Sequence, residues 1–175
     1  MKAQFLVISL VIWIAGTLPA SAASILWDWN FTGQGITASG TFTTNDTPDA
    51  SGGYLITAIT GTRNGKSITG LQPTGTPIPG NEPYDVDNLV FLAPNPQLTK
   101  AGFGFSLADG TYSNPFYADF LSPPIYLEFF SNPPGSDHTE LEIQFSAAPR
   151  VPEPATFGLG LAGLALLAVR SRVLR

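Results

Sequence analysis

Apolar and polar residues alternate with a period of two along several stretches in the middle of this chain. In residues 25–31, Trp27, Trp29 and Phe31 fall on one face, and the residues between them are mostly polar. Because successive side chains of a β-strand point to opposite faces, this alternation predicts half-buried strands. Similar β-rich runs predict further strands at residues 36–43, 53–63, 66–71, 86–93, 101–107, 125–131 and 139–147.

The segments between these runs carry turn and loop signals. Asn64-Gly65 separates two β-rich runs and predicts a type I′ hairpin, which needs positive φ at both positions. The four prolines of residues 72–83 predict a long loop. Residues 146–154, small residues and prolines, read as a tether. Eight or nine strands without an amphipathic helix between them predict an antiparallel β-sandwich, jelly-roll-like, over residues 23–149.

Composition and charge narrow the possible partners of this middle region. Residues 23–149 carry three basic residues against twelve carboxylates, a net charge of −9. Such a surface repels nucleic acid and anionic lipid, so no nucleic-acid partner is expected. The chain has no cysteine, which excludes disulfides, thiolate metal sites and cysteine nucleophiles.

The N-terminal residues have the order of a secretory signal peptide. Lys2 is followed by an apolar run at residues 5–14, and Ala20 and Ala22 form a cleavage site of the A-x-A kind. We therefore expect residues 1–22 to be a signal peptide that signal peptidase removes after Ala22.

The C-terminal residues 150–175 combine a short motif, an apolar stretch and a basic end. Residues 155–169 contain no charge and as a helix would span only about 22 Å, less than the ~30 Å hydrocarbon core of a bilayer. Arginines follow directly, as expected for a segment with its end in the cytoplasm. A short transmembrane helix held transiently in the membrane fits this pattern, and an ordinary C-terminal anchor helix is the alternative.

This order resembles the PEP-CTERM sorting signal of Gram-negative bacteria. The resemblance implies an exosortase-type membrane protease as a partner, an intermediate tethered in the inner membrane, and delivery to the cell surface or an extracellular polysaccharide matrix. It assigns the recognition motif to Pro152, Glu153 and Pro154, and the cytoplasmic stop to Arg170, Arg172 and Arg175.

Groups for catalysis are scarce in this sequence. His138 is the single histidine, and neighbouring Asp137 cannot orient it as a catalytic base from an adjacent turn position. One histidine without cysteine also disfavours zinc. Glu140 and Glu142 lie about 7 Å apart on one strand face, a spacing compatible with glycoside hydrolysis, but that face is expected to be solvated. We therefore expect no enzyme activity and no cofactor.

Two binding functions stay open as alternatives. Asp85, Asp87 and Asn88 place three oxygen ligands close together and are weak calcium candidates. Their other interpretation is an Asx turn that begins the strand at Leu89.

Sugar binding is the second alternative, since exposed aromatic rings can stack on pyranose rings. Trp27 and Trp29 are expected in the core. The aromatic residues expected to be exposed are Tyr112, Phe116 and Tyr117, which lie in the turn-rich stretch of residues 109–119. The sequence as a whole thus predicts a non-enzymatic exported protein, with a carbohydrate- or calcium-binding module as the alternative and a secreted glycoside-active enzyme third.

Overall fold

The computed structural model of the protein describes residues 24–92, 96–133 and 137–150. These residues form nine antiparallel strands and, within the described ranges, no helix. The predicted signal peptide, with Ala20 and Ala22, and the predicted transmembrane helix lie outside the described residues. The strands are β1 (Ser24–Gly33), β2 (Ile36–Asn45), β3 (Gly53–Arg63), β4 (Lys66–Leu71), β5 (Leu89–Phe91), β6 (Phe105–Leu107), β7 (Tyr112–Ala118), β8 (Ile125–Ser131) and β9 (His138–Pro149).

Eight of these strands close into a single antiparallel barrel. The strand order is β2-β1-β9-β8-β7-β6-β4-β3, and β3 pairs again with β2 to complete the ring. The ninth strand, β5, pairs with the first three residues of β3, beyond the part of β3 that pairs with β2. The all-β class and the strand number are confirmed, but the predicted sandwich of two sheets is replaced by one closed sheet. A barrel and a sandwich share the same alternation of residues, so the pattern alone does not separate them.

The barrel interior is filled by large side chains from the alternating strands. Trp27, Trp29 and Phe31 of β1 are all buried, as predicted. Trp29 stacks on Phe42 of β2 with ring centroids 5.2 Å apart, and Phe42 meets Phe103 edge to face at 4.9 Å. Offset and edge-to-face aromatic pairs of this kind add to the stabilisation from burial. The interior is therefore a packed core.

An ion pair is buried in the same interior. Arg63, at the end of β3, donates two hydrogen bonds to Glu128 of β8, at 2.6 and 2.7 Å. Ser113 of β7 donates a further hydrogen bond to the Glu128 carboxylate. The Arg63 guanidinium also lies 3.9 Å from the ring centroid of Phe130. These contacts connect β3 to strands that lie several positions away around the barrel.

The predicted hairpin at Asn64-Gly65 is confirmed. Both residues have positive φ, 47° and 78°, as a type I′ turn requires. The Asn64 side chain has a further role, since its Oδ1 accepts the backbone N–H of Thr37 at 2.8 Å and its Nδ2 donates to the carbonyl of Gly35 at 3.0 Å. Asn64 thereby ties the β3–β4 turn to the β1–β2 turn beside it.

Three predicted boundaries are wrong. Residues 109–119 were expected to be turn-rich, but most of them form β7. The strands expected at 86–93 and 101–107 are only the three-residue β5 and β6. Asn88 and Gly102 explain the shortening, since both have positive φ, which interrupts an extended strand.

Residues 72–88, which we call the strap, include the loop predicted at 72–83 and cross the outside of the barrel. Ile78 at its centre is fully buried in a second apolar cluster with Phe116, Ala118 and Phe129. The Phe129 side chain lies on the opposite face of β8 from Tyr126 and Phe130, which pack against the main core. The second cluster therefore lies on the outer face of the barrel. The strap is held along its length by hydrogen bonds, among them Gly75 N–H to the Val86 carbonyl and Asn88 Nδ2 to the Gln72 carbonyl, both 2.8 Å.

Candidate functional site

The last strand of the barrel, β9, ends at Pro149, directly before the C-terminal residues 150–175. Residues 146–149 belong to β9, so the tether predicted at 146–154 is wrong over these residues. The backbone N–H of Arg150 donates to the carbonyl of Leu26 at 2.6 Å. The Arg150 guanidinium is bidentate on the Asp28 carboxylate, with a shortest distance of 2.7 Å, and these hydrogen bonds lower the pKa of Asp28. Small residues and prolines resemble a linker by composition, but residues 146–149 pair with β1 as part of β9.

Both ends of the described chain leave the barrel side by side. Trp27 of β1 is paired with Pro149 of β9, so the start of β1 and the end of β9 lie at one end of the barrel. In the sequence, Val151 alone separates Arg150 from Pro152. The motif residues Pro152, Glu153 and Pro154 and the arginines Arg170, Arg172 and Arg175 lie outside the described residues. Within the described part of the chain, no helix is long and apolar enough to cross a membrane.

The catalytic candidates are on the outer surface. His138 is exposed, and its ring stacks on Phe129 with centroids 5.0 Å apart. Glu140 and Glu142 are exposed on the outer face of β9, opposite Ile143 and Phe145, as predicted. Across the described ranges, no three side chains of the types that bind metals lie close enough together to hold an ion.

The calcium candidates are placed differently from one another. Asp87 accepts the backbone N–H of Leu89 at 3.2 Å, which is the predicted Asx turn, and the hydroxyl of Thr99 at 2.6 Å. Burial raises the pKa of Asp87 despite these hydrogen bonds. Asn88 is fully buried, and its side chain amide oxygen accepts the backbone N–H of Gly104 at 3.3 Å. Asp85 is exposed at the surface of the strap.

The exposed aromatic residues are not those expected from the sequence. Phe116 is buried, and Tyr112 and Tyr117 are half-buried, because all three belong to β7. Among the described residues, the exposed tyrosine and phenylalanine side chains are Tyr84 of the strap and Phe120 of the β7–β8 turn, each 69% exposed. Sequence signals for both existed: each aromatic lies in a segment rich in proline and acidic residues, outside any alternating run.

Tyr84 and Phe120 border a cleft of about 670 Å³ between the strap and the outer face of the barrel. Its floor includes Asn114 and Phe116 of β7. Asn81 donates to the Asn114 side chain at 3.1 Å, and Asn114 donates in turn to the carbonyl of Ala101 at 3.0 Å. The charged residues that line the cleft are Asp85, Lys100 and Glu140.

Residues 150–175 match the PEP-CTERM protein-sorting motif. This confirms the resemblance drawn from the sequence and implies sorting by an exosortase toward the cell surface, after export and anchoring in a membrane. The match begins at Arg150, the residue that is hydrogen-bonded to Leu26 and Asp28 of β1. Comparison with characterised proteins gives no match, and neither does comparison with solved structures. The match covers the sorting segment, residues 150–175, and does not extend to the barrel.

Proposed function

We propose that this is a non-enzymatic exported protein that its C-terminal signal delivers to the envelope surface or the extracellular polysaccharide matrix. The match of residues 150–175 to the PEP-CTERM motif is the observation that carries this proposal. In this account signal peptidase removes residues 1–22, and residues 155–169 hold the barrel at the inner membrane until the exosortase acts at Pro152, Glu153 and Pro154.

The chemistry of the motif supports this order of events. Pro152 and Pro154 have no backbone N–H and favour extended conformations, which suit binding in the groove of a protease. Glu153 is the single charged residue between Arg150 and Arg170, so it is the strongest polar group for recognition near the outer membrane boundary. Arg170, Arg172 and Arg175 keep the end of the short apolar segment in the cytoplasm.

The geometry at Arg150 supports a barrel held close to the membrane. Because Arg150 is bound to Leu26 and Asp28, only a short segment separates the barrel from residue 155, where the apolar stretch begins. The end of the barrel that carries Ser24 and Pro149 therefore faces the membrane in the tethered form, and the Asn64-Gly65 turn at the opposite end faces away.

A comparison of hosts with and without the matching exosortase tests the sorting proposal. The wild-type protein is expected to leave the membrane fraction only in the host that has the exosortase. Glu153→Ala is expected to stay in the membrane in both hosts, whereas Glu142→Ala, a control on the exposed face of β9, is expected to behave as wild type. Release of the wild type without an exosortase, or normal release of Glu153→Ala, contradicts the proposal.

The absence of enzyme activity is proposed on the chemistry of the candidates. The exposed His138 stacks on an aromatic ring, and Glu140 and Glu142 point into solvent from the outer face of β9. Neither arrangement holds a desolvated acid and base on opposite sides of a substrate bond. Incubation of the mature protein with polysaccharides is expected to release no new reducing ends. Release that Glu140→Gln abolishes would establish the glycoside-active alternative.

A further inference from the structure

The cleft between the strap and the barrel combines exposed aromatic rings with hydrogen-bonding groups. Tyr84 and Phe120 are each 69% exposed at its border, although rings of this size gain free energy when they are covered. The volume of about 670 Å³ lies within the range of small-molecule binding sites. The aromatic rings provide flat apolar surfaces, and the cleft between them is lined by polar side chains.

The polar groups of the cleft have unused hydrogen-bonding capacity. Within the described residues, Asp85, Lys100 and Glu140 form no ion pair or side-chain hydrogen bond, although all three line the same cleft. Asn81 donates one side-chain N–H to Asn114, which leaves its side-chain oxygen Oδ1 as an acceptor. Donors and acceptors close to flat apolar rings match the surface of a pyranose sugar, which has hydroxyl groups around its edge and C–H groups on its faces.

The floor of the cleft is held by packing and hydrogen bonds within the barrel. Ile78 of the strap is buried against Phe116 and Phe129, and the side-chain amide of Asn114 donates to the backbone carbonyls of Ala101 and Phe103, both at 3.0 Å. A pre-formed site loses less conformational entropy on binding than a mobile one. A floor that is packed in this way favours a pre-formed binding site.

The charges of the cleft select among glycans. Asp85 and Glu140 outnumber Lys100, and the body of the protein has a net charge of −9. Both the local and the overall field oppose an acidic polysaccharide. We infer that this cleft is a binding site for a neutral glycan, with Tyr84 and Phe120 stacking on sugar rings and Asn81, Asp85, Lys100 and Glu140 binding hydroxyl groups.

This inference extends the proposed function, because an exported protein meets glycans outside the cell. Its test uses the full-length chain, purified in a detergent without a sugar headgroup, so that the result does not depend on sorting or processing. Calorimetric titration with neutral hexose oligosaccharides, N-acetylhexosamine oligomers and polyuronate oligomers compares the ligand classes. We expect binding of a neutral class and no binding of the polyuronates. A failure of sorting in cells leaves this result unchanged.

Matched variants locate the binding in the cleft. Tyr84→Ala and Phe120→Ala are each expected to weaken binding about tenfold, whereas Leu92→Ala, an exposed apolar residue that does not line the cleft, is expected to change it little. Glu140→Gln is expected to weaken binding more than Glu142→Gln on the same strand face, and this pair still tests the site if an aromatic variant fails to fold. Absence of neutral-glycan binding, binding of polyuronates alone, or cleft variants that bind like wild type would overturn the inference.

Discussion

Removal of one partner from the buried Arg63–Glu128 pair gives the sharpest test of the barrel. The change is Glu128→Gln, which keeps the size and shape of the side chain but removes its charge. The Glu128 side chain is fully buried and that of Arg63 is 9% exposed, so the variant leaves a guanidinium in the interior without its counter-ion.

The expected magnitude follows from this burial. Breaking a buried pair by removing one member costs about 3–5 kcal/mol, because an uncompensated charge stays in a low-dielectric site. The glutamine carbonyl can still accept one hydrogen bond from Arg63, and the cation–π contact at 3.9 Å from Phe130 is retained. We therefore expect the free energy of unfolding to fall by about 3 kcal/mol, the lower end of this range. For a domain of this size, that corresponds to a fall in Tm of roughly 10 °C.

Urea unfolding of the mature protein measures this loss. Trp27 and Trp29 are buried in the core, so their fluorescence reports on unfolding of the barrel. Asp109→Asn is the control, since Asp109 pairs with Lys66 at the surface and such exposed pairs contribute about 1 kcal/mol or less. If Glu128→Gln lowers the free energy of unfolding by no more than Asp109→Asn does, then the Arg63–Glu128 pair is not buried in the way that the barrel structure requires.

Three further predictions concern stability. Gly40→Ala is expected to destabilise the protein by more than about 3 kcal/mol, because an added Cβ would lie 1.8 Å from the Thr60 carbonyl oxygen. Gly70→Ala is the control: its Cβ would have a nearest contact of 3.4 Å, and it is expected to cost less than about 1 kcal/mol. Urea unfolding measures both variants. Gly65→Val is expected to cost about 1–2 kcal/mol in the same assay, because it forces a β-branched residue to a φ of 78°, and an unchanged midpoint would contradict this. Burial raises the pKa of Asp87 above 3.8, so folding favours its neutral form, and this contribution is lost as pH rises through the raised pKa. The stability of the wild type should therefore decline as pH rises in the acidic range, and Asp87→Asn is expected to remove this decline. The urea midpoints of wild type and variant should then diverge with rising pH.

Local sequence patterns predicted much of the strand content. The bounds of β3, β4 and β8 agree with the predicted runs at 53–63, 66–71 and 125–131. These segments are rich in β-branched or aromatic residues and end at turn residues, so the signal for each strand is contained within it. The Asn64-Gly65 turn was predictable for the same reason.

Barrel closure, β7 and the end of β9 were not predictable from local pattern. Closure depends on the pairing of β4 with β6 and of β1 with β9, which joins residues far apart in the sequence. Pro115 lowers the strand signal of β7, yet that strand is held by its full pairing with β8. The prolines and small residues of 146–154 indicated a linker, but residues 146–149 pair with β1 and belong to β9.

The candidate sites divide in the same way. The sorting segment is contiguous, so its motif, apolar stretch and arginines were recognised from sequence. The cleft draws residues from the strap, from β7 and β9 and from the β7–β8 turn, and only the fold brings Tyr84, Phe120 and Glu140 together. Tertiary packing also reversed the expected exposure of Phe116, which the strap covers through Ile78.

The mass of the mature protein, isolated from a host with the matching exosortase, tests the central claim most directly. Processing at both ends predicts an N-terminus at Ala23 and loss of the residues that follow Pro154. The folded barrel should be retained whole, including Arg150, which is bound to Asp28. A mature protein that still carries Val173, Leu174 and Arg175 would contradict the sorting account and identify residues 155–169 as a permanent anchor.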